Sequence, residues 1–169
     1  AVIVFRQISH AKDRPVGYNS KGLIEVDKAT PELSKNYDAL RTELINTGYV
    51  ENVSQSSGSV TVDYGGTTAV SWRGKSQDKR PLLISNQVSH EYGKTVGWKI
   101  IQGRDFSREM SMDTSAVILN QSAVQLMGFS KPTEELITLS GKKFQVIGVV
   151  NDMIKFSPYD MVKPSIFTI

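Results

Sequence analysis

Between residues 30 and 48 the apolar positions of this chain fall at helical spacing. Leu33, Tyr37, Leu40, Leu44 and Ile45 line one stripe, with polar residues between them. Thr30 suits an N-cap, Pro31 the first helical position and Glu32 the positive end of the helix dipole, and Gly48 stands where a C-terminal cap belongs. A helix is therefore expected over 30–48. Leu23 and Ile24 give apolar weight to an expected strand at 22–27, and 50–55 follows the helix as a second strand. Strand, helix and strand in that order predict a βαβ-like unit whose helix packs across a sheet.

Further along the period shortens to two. The stretches 59–64 and 67–72 alternate around Gly65-Gly66, a hairpin signal because both glycines can take positive φ. A phosphate-binding loop also uses paired glycines, but no GK[ST] follows them and no helix opens there. After a polar turn at 73–80, strands are expected at 81–85 and 97–101, with a short helix between 87 and 95. The continuous run Ala116-Val117-Ile118-Leu119 reads as a strand buried on both faces. Asn120 then caps a short helix carrying Ala123, Val124 and Met127 and ended by Gly128. The stretches 136–139 and 144–150 flank Ser140-Gly141-Lys142 as a second hairpin, 151–163 is irregular, and 164–167 is a last strand. Helix-crossed units and hairpins together make the fold class α+β. There is no internal repeat and no low-complexity linker.

Composition narrows the function classes. With 169 residues, 39% hydrophobic and 22% charged, the chain has material for one large domain or two small ones on a shared core. Its net charge of +3 is spread without a basic run interleaved with aromatics, so nucleic acid is not an expected partner. The absence of cysteine excludes disulfides, thiolate metal sites and cysteine nucleophiles, and fits either the cytosol or a periplasmic domain. No run of apolar residues is long enough to span a bilayer. The start, Ala1-Val2-Ile3-Val4-Phe5, turns polar through Arg6, Gln7, His10, Lys12, Asp13 and Arg14. It reads either as the last turns of a membrane helix emerging into water or as an amphipathic terminal helix.

Candidate chemistry is sparse. His10 and His90 are the only histidines, and His90-Glu91 lacks the HExxH spacing of a zinc site, so no metal is expected. No nucleophile elbow is present. A serine–histidine–aspartate set could be assembled in space from Ser89, His90 and Asp105, but any chain of this length offers such combinations and spacing gives no support. Asp105, after Gly103-Arg104, has a complete structural use: it can bond backbone amides two or three residues on and drive Phe106 into the core. Glu134-Glu135 read as a solvated cap, and Asp152 as a strand-end carboxylate with no basic partner. Trp72, Trp98, Phe156, Tyr159, Met110, Met112 and Met153 are candidate contact residues, with the methionines taken as fillers of gaps in the core. No catalytic, cofactor-binding or metal residue is assigned, and no enzyme activity is expected.

The segment Gly97-Trp98-Lys99-Ile100-Ile101-Gln102-Gly103-Arg104-Asp105-Phe106 resembles a stretch of the periplasmic core domains of MacB/FtsX-type ABC transporter permeases. The strand around Ala116-Val117-Ile118-Leu119-Asn120, the short helix Ala123 to Gly128 and the hairpin Gly141-Lys142-Lys143-Phe144-Gln145-Val146-Ile147-Gly148-Val149-Val150 continue the pattern in order and spacing. Phe5-Arg6-Gln7-Ile8 and Arg14-Pro15-Val16-Gly17-Tyr18-Asn19 resemble the exit from the first membrane helix in Bacteroidetes-type members. Residues 55–80 match only loosely. Lys131-Pro132-Thr133-Glu134-Glu135 departs from the family's turn by lacking its glycine, which leaves the local geometry there open.

The resemblance implies a porter-like βαβ subdomain over 1–102, completed by 151–169, and a small α/β Sabre-like insertion over 103–150. It implies an extracytoplasmic domain at the periplasmic face of the inner membrane, part of an integral membrane protein that is dimeric there. Its partner would be an ATP-binding subunit or domain, and it would couple ATP hydrolysis to export or periplasmic work by mechanotransmission. A substrate, periplasmic adaptor, lipoprotein or cell-wall hydrolase would be bound in time with that cycle. The alternatives are a stand-alone soluble binding module of similar fold and a hydrolase using His90 and Asp105. At residue level, Gly103 is expected to require a glycine backbone in the turn before Asp105.

Overall fold

The computed structural model describes residues 16–27, 30, 33, 35–63, 65–155, 157 and 160–169. Along the chain these form α1 (Tyr37–Asn46), β1 (Val70–Trp72), β2 (Ile84–Gln87), α2 (Tyr92–Val96), β3 (Ile100–Gly103), β4 (Ala116–Asn120), α3 (Gln121–Met127), β5 (Leu136–Leu139), β6 (Lys142–Val150) and β7 (Ser165–Thr168), with 3-10 turns at Ser111–Ser115 and Pro132–Glu134. The strands make one mixed sheet in the order β1-β5-β6-β4-β7-β2, and β3 pairs with β6 beside that path. The class is α+β, as expected.

β4 explains why the sheet is built around it. All five of its residues are buried. Ala116 and Ile118 point into one apolar cluster with Tyr92, Val96, Trp98, Phe106, Val150 and Phe167. Val117 and Leu119 point into another with Ala123, Met127, Ile137, Val146 and Ile166. Alternation in a strand sends neighbours to opposite faces, so a run with no polar position must be covered on both. Each large aliphatic side chain buried this way contributes roughly 1.5–3 kcal/mol. β4 lies parallel to β6 and antiparallel to β7, and β2 lies parallel to β7.

The C-terminal half follows its sequence closely. Asn120 Oδ1 accepts from Ala123 N at 3.0 Å and so caps α3, whose Ala123 and Met127 are buried. The same oxygen accepts from Ser165 N at 2.8 Å, which ties the cap to the start of β7. β5 and β6 form the expected hairpin, with positive φ at Ser140 and Gly141.

The N-terminal half departs from expectation. No strand forms at 22–27, where Ile24 and Val26 are 83% and 78% exposed. Nor does one form at 50–55; the nearest pairing is a single bridge from Ser56 to Val88. The βαβ unit is therefore absent among the described residues. Gly65-Gly66 does not turn a hairpin either. Thr67 exchanges backbone hydrogen bonds with Leu83 at 2.7 and 3.0 Å, and β1 pairs with β5 instead. The local turn signal lost to partners distant in sequence. The helix expected over 30–48 is defined as α1; Thr30 is outside its regular part, and Pro31 and Glu32 lie outside the described residues. The apolar start and His10 also lie outside them. Among the described residues no helix is long and apolar enough to cross a membrane. The expected subdomain boundary at residue 103 falls at the end of β3, and the sheet crosses it: β3 bonds β6, and β7 bonds β4.

Gly103 has φ +73°, and a Cβ there would meet Ile147 O, with Thr133 Cγ2 at 2.8 Å and Gly148 Cα at 3.0 Å. Gly141 has φ +84° but open space around it. Backbone strain alone costs an alanine roughly 1–2 kcal/mol at either position. Gly103→Ala is expected to cost about 2 kcal/mol more than Gly141→Ala, through steric overlap with the backbone of β6. Thermal and urea unfolding of the two variants measures the difference, and equal losses would contradict this packing.

Candidate functional site

α1 buries none of its residues. An amphipathic helix held only by such a half-covered stripe needs other attachments, and these are polar. Tyr37 stands at the first position of α1, where its phenol hydroxyl points at Glu91 Oε2 at 3.0 Å, with Val53 O also 3.0 Å and Ser89 Oγ 3.1 Å from the same oxygen. Burial raises the Tyr37 pKa, and its bond to Glu91 acts in the same direction. One turn on, Arg41 Nε lies 3.8 Å from Glu91 Oε1.

Glu91 gathers these contacts. Its side chain, 11% exposed, also receives the guanidinium of Arg108 through Nε, and Arg108 reaches back to Asp38 on α1 at 2.8 Å. Burial pushes the Glu91 carboxyl up. Hydrogen bonds from Arg108, its own backbone amide and Tyr37, with the Arg108 charge, outweigh that and bring the pKa down to about 2. Three segments thus meet on one carboxylate: α1, the residues before α2, and the loop after Phe106.

That loop is itself fixed to the sheet. Arg104 clamps Asp113 with two bonds, at 2.9 and 2.7 Å, and Asp113 Oδ2 accepts from Ser107 N at 2.8 Å. Asp113 is fully buried, and the Arg104 hydrogen bonds hold its pKa low. Asp105 Oδ2 accepts from the indole Nε1 of Trp98 at 2.9 Å and Oδ1 from Phe106 N at 2.8 Å. Burial raises the Asp105 pKa against these bonds. Trp98 packs edge-on against Phe167 and Tyr92, with ring centroids 5.0 and 5.5 Å apart. A continuous path runs from the sheet core through Trp98 and Asp105 to the loop, then through Arg108 and Glu91 to α1.

The sequence candidates fall as follows. Asp105 bonds the amide one residue on, rather than two or three, and Phe106 enters the core as expected. Ser89, His90 and Asp105 do not form a triad: Ser89 Oγ faces Tyr37 and Gln55 N, and Asp105 faces Trp98. Asp152 accepts from the backbone and hydroxyl of Ser122 at 3.0 and 2.7 Å, a second cap on α3. Glu134 pairs with Lys131 and Glu135 with Arg73. Trp98 and Met153 are buried, whereas Met110 and Met112 are exposed, Met112 to 82%, so these two do not fill the core. Phe156 and Tyr159 lie outside the described residues. Sequence reasoning missed Glu91, Arg108, Asp38 and Arg41. One signal was available: a tyrosine in an otherwise aliphatic stripe places a phenol that needs a partner when packed.

Because folding lowers the Glu91 pKa, its charge stabilises the fold fully above the ordinary glutamate value of 4.5, and that contribution disappears as pH falls towards about 2. Glu91→Gln is expected to cost about 2 kcal/mol at pH 7, the scale of hydrogen bonds to a charged group. The gap to the parent protein should narrow steadily below pH 4.5. Urea unfolding of both proteins from pH 7 to pH 3 measures it; a gap independent of pH would show that the carboxylate charge is not used.

Comparison with known proteins places this chain in a family. The model of the MacB-like periplasmic core domain matches residues 5–168. No curated protein matches the chain. Among solved structures, the periplasmic region of MacB from Actinobacillus actinomycetemcomitans aligns at 18% identity and TM-score 0.53, over 78% of this chain and 53% of that one. A domain of a putative permease from Porphyromonas gingivalis aligns at 13% identity and TM-score 0.47, over 69% and 49%. The extracellular domain of the noncanonic ABC-type transporter YknZ from Gram-positive bacteria aligns at 17% and 0.44, over 82% and 67%. The chain spans about half the length of the first two. The family match covers nearly the whole chain, and the mixed sheet agrees with it: this chain belongs to the MacB-like periplasmic core domains of ABC transporter permeases.

Proposed function

We propose that this domain is a mechanical coupling module at the periplasmic face of the inner membrane, moving with the permease's membrane helices as its ATP-binding partner cycles. The observation that carries the reading is the Glu91 junction. One carboxylate holds Tyr37 of α1 and Arg108 of the loop after Phe106, and that loop is clamped to the sheet by Arg104 and Asp113. Charge-assisted, two-point attachments resist sliding better than a loosely packed apolar face, because they fix direction as well as distance. The two parts expected on either side of residue 103 share one sheet, which supports their moving as one body. In this reading the exposed loop around Met110 and Met112 is carried outward as a contact surface for a substrate or periplasmic partner, and the permease works as a dimer.

The test uses the full-length permease with its ATP-binding partner in nanodiscs. The described domain has no cysteine, so spin labels can be placed at Tyr49→Cys, beyond α1, and at Met112→Cys, both exposed. The distance between them is expected to stay single and narrow with and without a trapped nucleotide, while both move relative to the membrane. Glu91→Ala should broaden that distance and reduce the nucleotide-driven displacement of residue 112. A distance that changes with nucleotide in the parent protein, or a displacement untouched by Glu91→Ala, would refute the coupling role.

A further inference from the structure

The turn after β1 concentrates the positive charge of the molecule. Residues 72–80 hold Arg73, Lys75, Lys79 and Arg80 against Asp78 alone, a net +3 that equals the excess of 20 basic over 17 acidic residues in the whole chain. The turn borders a cleft of about 270 Å³ lined by Thr68, Ser71, Trp72, Lys75, Ser76, Gln77, Lys79 and Arg80. Cations, hydroxyls and an amide line it, and no carboxylate does.

Its cations are not equivalent. Arg73 is paired with Glu135 at 2.6 Å. Lys75 is fixed in place: its ammonium donates to Val70 O and sits 5.1 Å from the centre of the Trp72 ring. That leaves donors on Lys75 with a defined position beside a half-buried indole. Lys79 and Arg80 are exposed and make no ion pair among the described residues. A protein surface that gathers like charges without counter-charges holds a local positive potential, stabilised when an anion arrives. Three cations with hydroxyl donors around a concave wall suit a group with several anionic oxygens, and guanidinium matches phosphate geometry with two parallel bonds. The indole supplies an apolar wall for whatever carries that group.

We propose that the cleft beside Trp72 is a binding site for a phosphate ester, with Lys79 and Arg80 as its free cations and Lys75 as its fixed one. The ester is either a lipid headgroup or a small soluble molecule; the chemistry of recognition is shared. The site does not depend on the coupling role of the Glu91 junction, and its test reads binding alone.

The test follows tryptophan fluorescence of the chain, with Trp72→Phe identifying the signal that comes from the cleft. One arm titrates inorganic phosphate and glycerol phosphate; the other adds vesicles of phosphatidylglycerol, with phosphatidylcholine vesicles as reference. Two double variants of equal charge change are compared: Lys79→Ala with Arg80→Ala in the turn, and Lys94→Ala with Lys99→Ala elsewhere on the exposed surface. Saturable binding is expected in at least one arm, weakened at least tenfold by the turn variant and little by the other. Saturation by the soluble esters assigns a small ligand, and saturation by phosphatidylglycerol vesicles alone assigns a headgroup. No binding in either arm, or equal weakening by the two double variants, overturns the site.

Discussion

A buried indole N–H must find an acceptor, and the acceptor found by Trp98 organises much of this domain. Trp98 is needed in the core, where its ring meets Phe167 of the central sheet and Tyr92 of α2. Its N–H donates to Asp105 at 2.9 Å, which places a carboxylate in a largely apolar setting. Burial raises the pKa of that carboxyl, and the indole and the Phe106 amide work against the rise. The Gly103-Arg104-Asp105-Phe106 turn therefore has its geometry dictated from both sides. Gly103 and Gly148 let the two backbones approach, since a Cβ on Gly148 would strike Arg104 O. Arg104 then points to Asp113 and closes the loop that carries Arg108.

The attachment of α1 follows a different economy from that of the sheet. The strands gain stability by burying aliphatic side chains on two faces, a term that is large and indifferent to direction. α1 has no fully buried side chain, so its position rests more heavily on Tyr37, Asp38 and Arg41 around Glu91. Desolvating Glu91 costs free energy, and only the number of partners on it makes the arrangement favourable. Losing a strong partner from such a junction leaves a desolvated charge under-compensated, whereas an apolar contact weakens gradually. A directional contact of this kind fixes the angle of the helix as well as its distance from the sheet.

What the sequence disclosed depended on how local its causes were. β4, the Asn120 cap and the β5–β6 hairpin were legible because a continuous apolar run, a capping side chain and a two-residue turn act within a few positions. The glycine pair at Gly65-Gly66 misled for the opposite reason. It permits a turn, but Thr67 had a better partner in Leu83 and β1 a better one in β5, and neither preference is visible from the turn itself. The apolar residues Leu23 and Ile24 promised a strand that found no ladder: Leu23 packs against the core while Ile24 stays exposed. The Glu91 junction was illegible because its members lie at 37, 38, 41, 91 and 108, and an ion cluster assembled over that separation leaves no spacing to read. The family resemblance was carried by the turn, strand and hairpin of the C-terminal half, where the physical causes are also local.

β6 connects these observations. One of its edges is taken by β4; along the other, β5 pairs with residues 142–145 and β3 with residues 148–150. The turn that leads to the Glu91 junction leaves from β3, and β1, with the cationic cleft at its end, hangs from β5. A single nine-residue strand therefore lies between the two, hydrogen-bonded along most of its length. A strand paired on both edges is stiff along its axis, because stretching or shifting it by one position would break bonds to every neighbour and turn its buried face outward. Under the proposed coupling role, a displacement applied at the junction would pass to the far end of the sheet through this strand. An anion held beside Trp72 would then sit on the same sheet from which the loop around Met112 leaves, so the two proposed roles share one scaffold.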